Sequence, residues 1–276
     1  MAERLFTSVI WLSTALVVAM LLWILGDLAY QGMPHLSLNF LLSEPMSAGR
    51  SGGIGPILVS TLLIIAVTLL SALPLGLAAA IWLAEFTNRG SAVGNGVRLC
   101  LDVLAGIPSI VFGLFGNAFF SIFLGLGFSI LSGGLTLACM ILPVFIRTCE
   151  IGVSSVNDAW RKGAAALGMT RSAAVWHILL PAASPAIVAG LILGIGRATA
   201  ETAALIFTSG YVDRMPGSLL DSGRALAVHI YDLSMNVTGG DPAAHASALV
   251  LLVLIMLLNL LAQGLSDRWL QRRLSV

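Results

Sequence analysis

Charge is what this sequence of 276 residues has least of. Asp, Glu, Lys and Arg make up 10% of it, against about 25% in soluble domains. So few charges cannot cover a water-soluble globule of this size, which excludes an ordinary soluble enzyme. A basic surplus is also missing: 14 Lys and Arg face 13 Asp and Glu, a formal net charge of +1. That balance excludes a nucleic-acid binder, which needs a basic face. Cysteine is scarce, and Cys100, Cys139 and Cys149 all lie in or beside apolar segments. They read as reduced thiols rather than a disulfide framework. No G-x-x-x-x-G-K-[ST] pattern occurs, so the chain has no phosphate-cradling loop of that kind for ATP. What is present is apolar, with 58% hydrophobic residues and a mean hydropathy of +0.99. This is the composition of an all-α integral membrane protein.

A helix needs about 20 apolar residues to cross the bilayer, because unpaired backbone groups in hydrocarbon are too costly. The first run, Phe6 to Leu28, carries no charge before Asp27. It exceeds the roughly 7–15 apolar residues of a secretory signal and reads as a retained anchor. The second extends from Pro56 to Ala84, with Pro74 as a kink. From Leu99 to Ile146 the only charge is Asp102, and the length suits two helices with a tight turn around Gly125 to Gly134. Ile178 to Phe207 makes a fifth span and Ala246 to Leu265 a sixth. Six spans put both termini on one side.

Lys and Arg stay in the cytoplasm. One side carries Arg4, Arg89, Arg98, Arg147, Arg161, Lys162, Arg171, Arg268, Arg272 and Arg273; the other carries Arg50, Arg214 and Arg224. The richer side, with both termini, is therefore expected to be cytoplasmic. Trp269 beside Arg268 and Arg272 reads as an interfacial anchor. In the second outer loop, Leu219, Leu226, Ile230 and Leu233 fall at helical spacing. They predict a short helix lying on the membrane or capping the bundle. Residues 43–55 are turn-rich.

The fourteenth cation, Arg197, lies inside the fifth span with Glu201 one helical turn on. A central charge costs about 2.5–3.5 kcal/mol to insert, so two need each other, a partner helix or water. At i,i+4 they can pair on one face and fix helix packing. Alternatively they form a polar station on a transport path, where the guanidinium fork holds an oxyanion. Ala186, Gly190, Gly194 and Ala198 form a small-residue ladder, and Ala198 sits about 100° around the helix from Arg197. Such a ladder lets a neighbouring helix approach closely.

Residues 150–177 form the longest loop on the cytoplasmic side. Ser155 or Asn157 can cap a helix there, Asp158 suits its first turn, and Gly168 is a natural stop. Arg98 and Asp102, one turn apart, predict an interfacial ion pair. Pro108 and Pro143 predict kinks. His177, His229 and His245 share no spacing and make no metal site.

The 150–177 loop resembles that of binding-protein-dependent ABC importer permeases, whose motif runs E-A-A, three residues, Gly, and later I-x-L-P. Here it reads Lys162-Gly163-Ala164, Ala165-Ala166-Leu167, Gly168, then MTRSAAVWH and Ile178-Leu179-Leu180-Pro181. Lys162 replaces the acidic residue. GGIGPILVSTLL, ALPLGLAAAIWLAEF, LAGIPSIVFGLFG, GRATAETAALIFTSG and ALAVHIYDL, between residues 52 and 233, resemble the phosphate-importer permeases, PstA-type above PstC-type. The resemblance implies six transmembrane helices with a type I ABC importer (MetI-like) permease core. It divides the chain into an anchor helix (1–30), an outer loop (31–55), a five-helix core (56–265) and a tail (266–276). The core includes a coupling segment (150–177) and an outer loop (208–245).

It further implies inward phosphate transport by alternating access in the bacterial inner membrane. The permease carries no cofactor and is not itself an enzyme; ATP and Mg belong to two copies of a cytoplasmic ATPase. A second, similar permease completes a heterodimer, and an extracytoplasmic phosphate-binding protein delivers the substrate. By the same resemblance Arg197 and Glu201 line the path. Arg161, Lys162, Gly163, Ala164, Ala165, Ala166, Leu167 and Gly168 fall at the helix that docks into the ATPase. The rival readings are a permease for another oxyanion (molybdate, sulfate or phosphonate), a non-conducting phosphate-sensing subunit, and an intramembrane enzyme. The last would need a nucleophile–base pair or metal ligands at bilayer depth, where the spans offer only one Arg–Glu pair.

Overall fold

The computed structural model describes residues 2–88 and 90–274, and within these no side chains at 2, 3, 5 and 265–274. Arg89 and the side chains of Arg268, Trp269, Arg272 and Arg273 lie outside the described residues. Helix α1 (Ala2–Gly32) stands almost fully exposed along its length. It meets the bundle at Gly32, where any side chain would strike Leu249 and the backbone of His245. A one-turn helix, α2 (Leu38–Leu42), is capped by Ser37, whose hydroxyl accepts from the Phe40 amide. The turn-rich stretch after it closes as a minimal antiparallel hairpin of β1 (Pro45–Met46) and β2 (Ser51–Gly52).

Helix α3 (Gly55–Ile81) continues through a π-helical turn, Trp82–Phe86. The third crossing is broken. Helix α4 (Ala92–Ala105) and helix α5 (Ser109–Gly116, prolonged π-helically through Asn117–Phe123) meet at an angle of 102°. Gly106 and Pro108 stand at the break, and proline denies the helix an amide donor there. The turn that follows is shorter than the sequence suggests. Gly125 and Gly127 take positive φ, but Ser129 caps α6 (Ile130–Ser154), so residues 130–134 are already helical.

Helix α7 (Asp158–Ala166) is followed by α8 (Arg171–Ala174), a π-helical turn (Val175–Leu179) and α9 (Leu180–Thr199). A single turn, α10 (Ala203–Ile206), then α11 (Leu226–Met235) and α12 (Asp241–Leu274) complete the chain. The predicted outer helix is present, but it starts at Leu226. Leu219 lies outside it, in a turn, and its carbonyl accepts from the Leu131 amide. Leu226 and Leu233 are fully buried, so the helix caps the bundle.

Close approaches between helices establish the topology. The Thr68 hydroxyl donates to the Gly134 carbonyl (3.1 Å), and Gly76 sits against Phe145, so α3 and α6 run parallel. The chain must therefore recross between them, and α4–α5 is that crossing. Gly116 lies against Thr136, and the Ser121 and Ser132 hydroxyls are 2.7 Å apart, antiparallel to α6. Helix α9 is antiparallel as well, with Ala186 against Gly152, Gly190 against Phe145 and Thr148, and Gly194 against Ile141. The small-residue ladder thus packs on α6. Where lipid is as apolar as leucine, such backbone proximity replaces the hydrophobic effect as the source of helix association. Among the described residues five helices are long and apolar enough to cross a membrane, or six crossings if the bent α4–α5 pair counts as one.

Candidate functional site

Helix α9 does not carry both intramembrane charges. It ends at Thr199, and residues 200–202 are non-helical before α10 begins. Of the two readings the sequence leaves open, the Arg197–Glu201 pair does not form. Instead a Glu201 carboxylate oxygen accepts from the Ala204 amide (3.3 Å), capping α10. The physical reason is the break itself, since the first amides of a new helix have no intrahelical acceptor and water is scarce at this depth. Neither Pro nor Gly marks residues 197–203, so local signals do not show the break. Among the described residues Arg197 has no hydrogen-bond or ion-pair partner. It lies on the open side of α9, where Leu193 is 57% exposed, Ala200 is exposed and Gly196 meets nothing. The adjoining side, through Gly190, Gly194 and Ala198, is buried on α6. The break in α4–α5 is near: Ile107 and Phe112 share one apolar cluster with Ala198, Ala204 and Ile206. Two interrupted helices therefore meet beside an uncommitted guanidinium, an arrangement suited to binding an anion within a membrane.

At the α7 end lies a charged network that the sequence reading paired wrongly. Asp102 bonds Arg147 (2.9 Å) rather than Arg98, and Arg98 bonds Glu150 (2.6 Å), which also accepts from Arg147 (2.7 Å). Arg98 further donates to the Leu83 carbonyl (3.0 Å). The correction follows from the fold, which sets α4 against α6 so that both arginines converge on one carboxylate. Glu150 is 4% exposed and belongs to α6, not to the 150–177 loop. Its i,i+3 spacing from Arg147 was the available signal.

Helix α7 has the caps that the sequence predicts. Asn157 accepts from the Ala159 amide (2.9 Å), and Gly168, at φ +73°, closes the end. There the Gly168 amide donates to Ala165 and the Met169 amide to Ala164, the paired bonds of a Schellman stop. Lys162, Gly163, Ala165, Ala166, Leu167 and Gly168 face outward, and Ala164 is buried. Trp160, not singled out in the sequence, is exposed beside them. Arg161 points the other way, into the bundle. Its guanidinium holds Glu85 (2.6 and 3.1 Å) and donates to the Val153 (2.8 Å) and Val156 carbonyls. The Glu85 hydrogen bond keeps that guanidinium above its ordinary pKa.

At the opposite end Arg224 bonds Asp232 (3.2 Å) and the Tyr211 carbonyl (2.8 Å), with Asp213 at 3.9 Å. Fully buried His229 lies 3.4 Å from Arg224 and against Gly49 of the hairpin. Burial, and then the Arg224 charge, push its pKa down to about 4. The folded state therefore holds it neutral, while the unfolded chain takes up a proton near pH 6.5. Stability should be fully present above pH 6.5 and fall as pH drops towards about 4. Thermal melts of the wild type and His229→Gln should show this slope only in the wild type. Equal slopes would mean that the imidazole is not held neutral. Among the described residues no three His, Cys, Asp or Glu side chains are grouped to hold a metal ion.

Three comparisons bear on this geometry. The family model described as binding-protein-dependent transport system inner membrane component matches residues 72–276. A probable ABC transporter permease protein of Bacillus subtilis (strain 168), YqgI, is 30% identical over 278 residues, covering 95% of this chain and 94% of its own. A phosphate transport system permease protein PstA homolog of Mycoplasma pneumoniae is 33% identical over 98% of this chain, which spans 42% of that longer protein. Among solved structures, a chain of a bacterial alginate ABC transporter, crystallised with an alginate pentasaccharide-bound periplasmic protein, shares the fold. It aligns with a TM-score of 0.66 at 16% identity, over 94% of this chain and 95% of its own.

Proposed function

The chain belongs to the binding-protein-dependent inner-membrane component family, the permeases of ABC importers, and from that premise we propose that it carries inorganic phosphate inward. The observation that carries this reading is Arg197, a guanidinium inside the membrane, beside a helix break, with no partner among the described residues. An unpaired cation at that depth is costly and is kept where a charged cargo repays the cost. The planar fork matches a tetrahedral oxyanion bidentately. The phosphate-permease descriptions of several relatives favour phosphate among such anions.

In this reading the path runs along the open face of α9, completed by a second permease. One arginine holds a dianion weakly, so the companion chain contributes further positive charge. Helix α7 docks into a cytoplasmic ATPase, present twice, which binds ATP and Mg and does the hydrolysis. A phosphate-binding protein loads the opposite, extracytoplasmic side, which places both termini in the cytoplasm.

The test is ATP-dependent uptake of labelled phosphate into proteoliposomes holding the whole complex and its binding protein. Molybdate, sulfate and phosphonate are offered as competitors. Phosphate uptake blocked only by excess unlabelled phosphate is the expected result. Uptake of one competitor in its place would keep the permease and replace the cargo, and ATP-stimulated complexes that move none would favour a sensing subunit.

A further inference from the structure

Helix α7 is joined to the bundle three times. Two joints are covalent: residues 155–157 tie its start to the end of α6, and the chain runs on from α7 through α8 and the Val175–Leu179 turn into α9, which carries Arg197. The third is Arg161. Its side chain is 23% exposed and bridges three elements, with Glu85 on the π-helical turn after α3, the Val153 carbonyl in the last turn of α6, and the Val156 carbonyl just beyond. The π-helical turn is held from its other side too. Arg98 of α4 donates to the Leu83 carbonyl and bonds Glu150 of α6. Trp82–Phe86 is therefore clamped between α7 and α4, in a local geometry that is rare and often marks a functional position. A cavity of about 290 Å³ lined by Glu85, Arg98, Ser154, Asp158 and Arg161 adjoins the clamp. It leaves these side chains room to re-pair when α7 is displaced.

We propose that Arg161 is a positioning residue, the rigid link that passes motion of α7 to α3 through Glu85 while the covalent routes pass it to α6 and α9. This rests on the reading of α7 as the ATPase-docking helix. The guanidinium suits the task because its planar fork fixes direction as well as distance, which a lysine does not. Without the link, α7 still docks and follows the ATPase, but only α6 and α9 are pulled and α3 is left behind. The two walls of the path then move out of step.

The experiment measures ATP hydrolysis and phosphate uptake in the same proteoliposomes, for the complete complex with its binding protein. In Arg161→Gln and Glu85→Gln, phosphate moved per ATP should fall at least fivefold, with hydrolysis within twofold of wild type and the ATPase still co-purifying. The double variant should be no worse than Arg161→Gln, since both remove one contact. Glu85→Gln keeps an acceptor of the same shape, so it carries the test if Arg161→Gln fails to assemble. A wild-type ratio in both variants, or hydrolysis and uptake falling in proportion, would overturn the proposal. If the wild type carries a different oxyanion, the phosphate reading fails alone, and the same ratio is read with that anion.

Discussion

Arg197→Gln should lower phosphate uptake by about ten- to a hundredfold while leaving the complex assembled. A hydrogen bond to a charged group is worth about 1.5–3 kcal/mol, and each 1.4 kcal/mol is about tenfold. Loss of one such contact in the path accounts for that range. Arg197→Lys should fall between, because it keeps the charge and loses the fork. What makes the prediction sharp is the pairing seen in the fold. Had Arg197 and Glu201 bonded each other across one helical turn, removing either would strand the other, and a loss of uptake would be ambiguous. Glu201 is instead engaged with the Ala204 amide, and Arg197 has no partner among the described residues. Its removal therefore breaks no hydrogen bond or ion pair among the described residues, and the contact of α9 with α6 through Gly190, Gly194 and Ala198 is kept. The check is labelled uptake alongside the melting temperature of the purified complex. Wild-type uptake by Arg197→Gln would remove the residue from the path, and a large drop in melting temperature would give it a structural role.

Glu150→Ala should produce the largest loss of stability. The carboxylate is 4% exposed and accepts from two guanidinium groups, Arg98 at 2.6 Å and Arg147 at 2.7 Å. Removing one member of a buried ionic group costs about 3–5 kcal/mol, chiefly because the partners' charges are left unpaired. Here two cations lose their shared counter-charge, and α4 and α3 lose their tie to the end of α6. Asp102→Ala is the internal contrast. That carboxylate bonds only Arg147, at 2.9 Å, and its side chain is 55% exposed. Its loss should cost no more than about 1 kcal/mol, the usual worth of an exposed pair. Thermal melts of the two variants should differ several-fold in their shift. Equal shifts would mean that burial is not what makes Glu150 important.

The membrane class, the approximate spans and the α7 helix with its Asn157 and Gly168 caps were legible in the sequence. Each depends on composition or on signals within a few residues: apolar length, a side-chain acceptor at a helix start, a glycine where φ is positive. The small-residue ladder on α9 was legible for the same reason, because a fourfold spacing places residues on one face of any helix. What only the tertiary structure decided is how the charges are partnered. Arg98 and Asp102 are neighbours on one helix, yet each takes its partner from α6, since α6 presents Glu150 and Arg147 at the level where α4 crosses it. Arg161 opens the mostly outward-facing stretch 161–168, yet faces inward, because Glu85 and the last carbonyls of α6 lie beneath it. The break between Arg197 and Glu201 has no proline or glycine to announce it. It accompanies the packing of α10 on α5, where Gly113 lies directly against Ala204. Local sequence determines where a helix can form, and long-range packing determines where it must stop and which charge it meets.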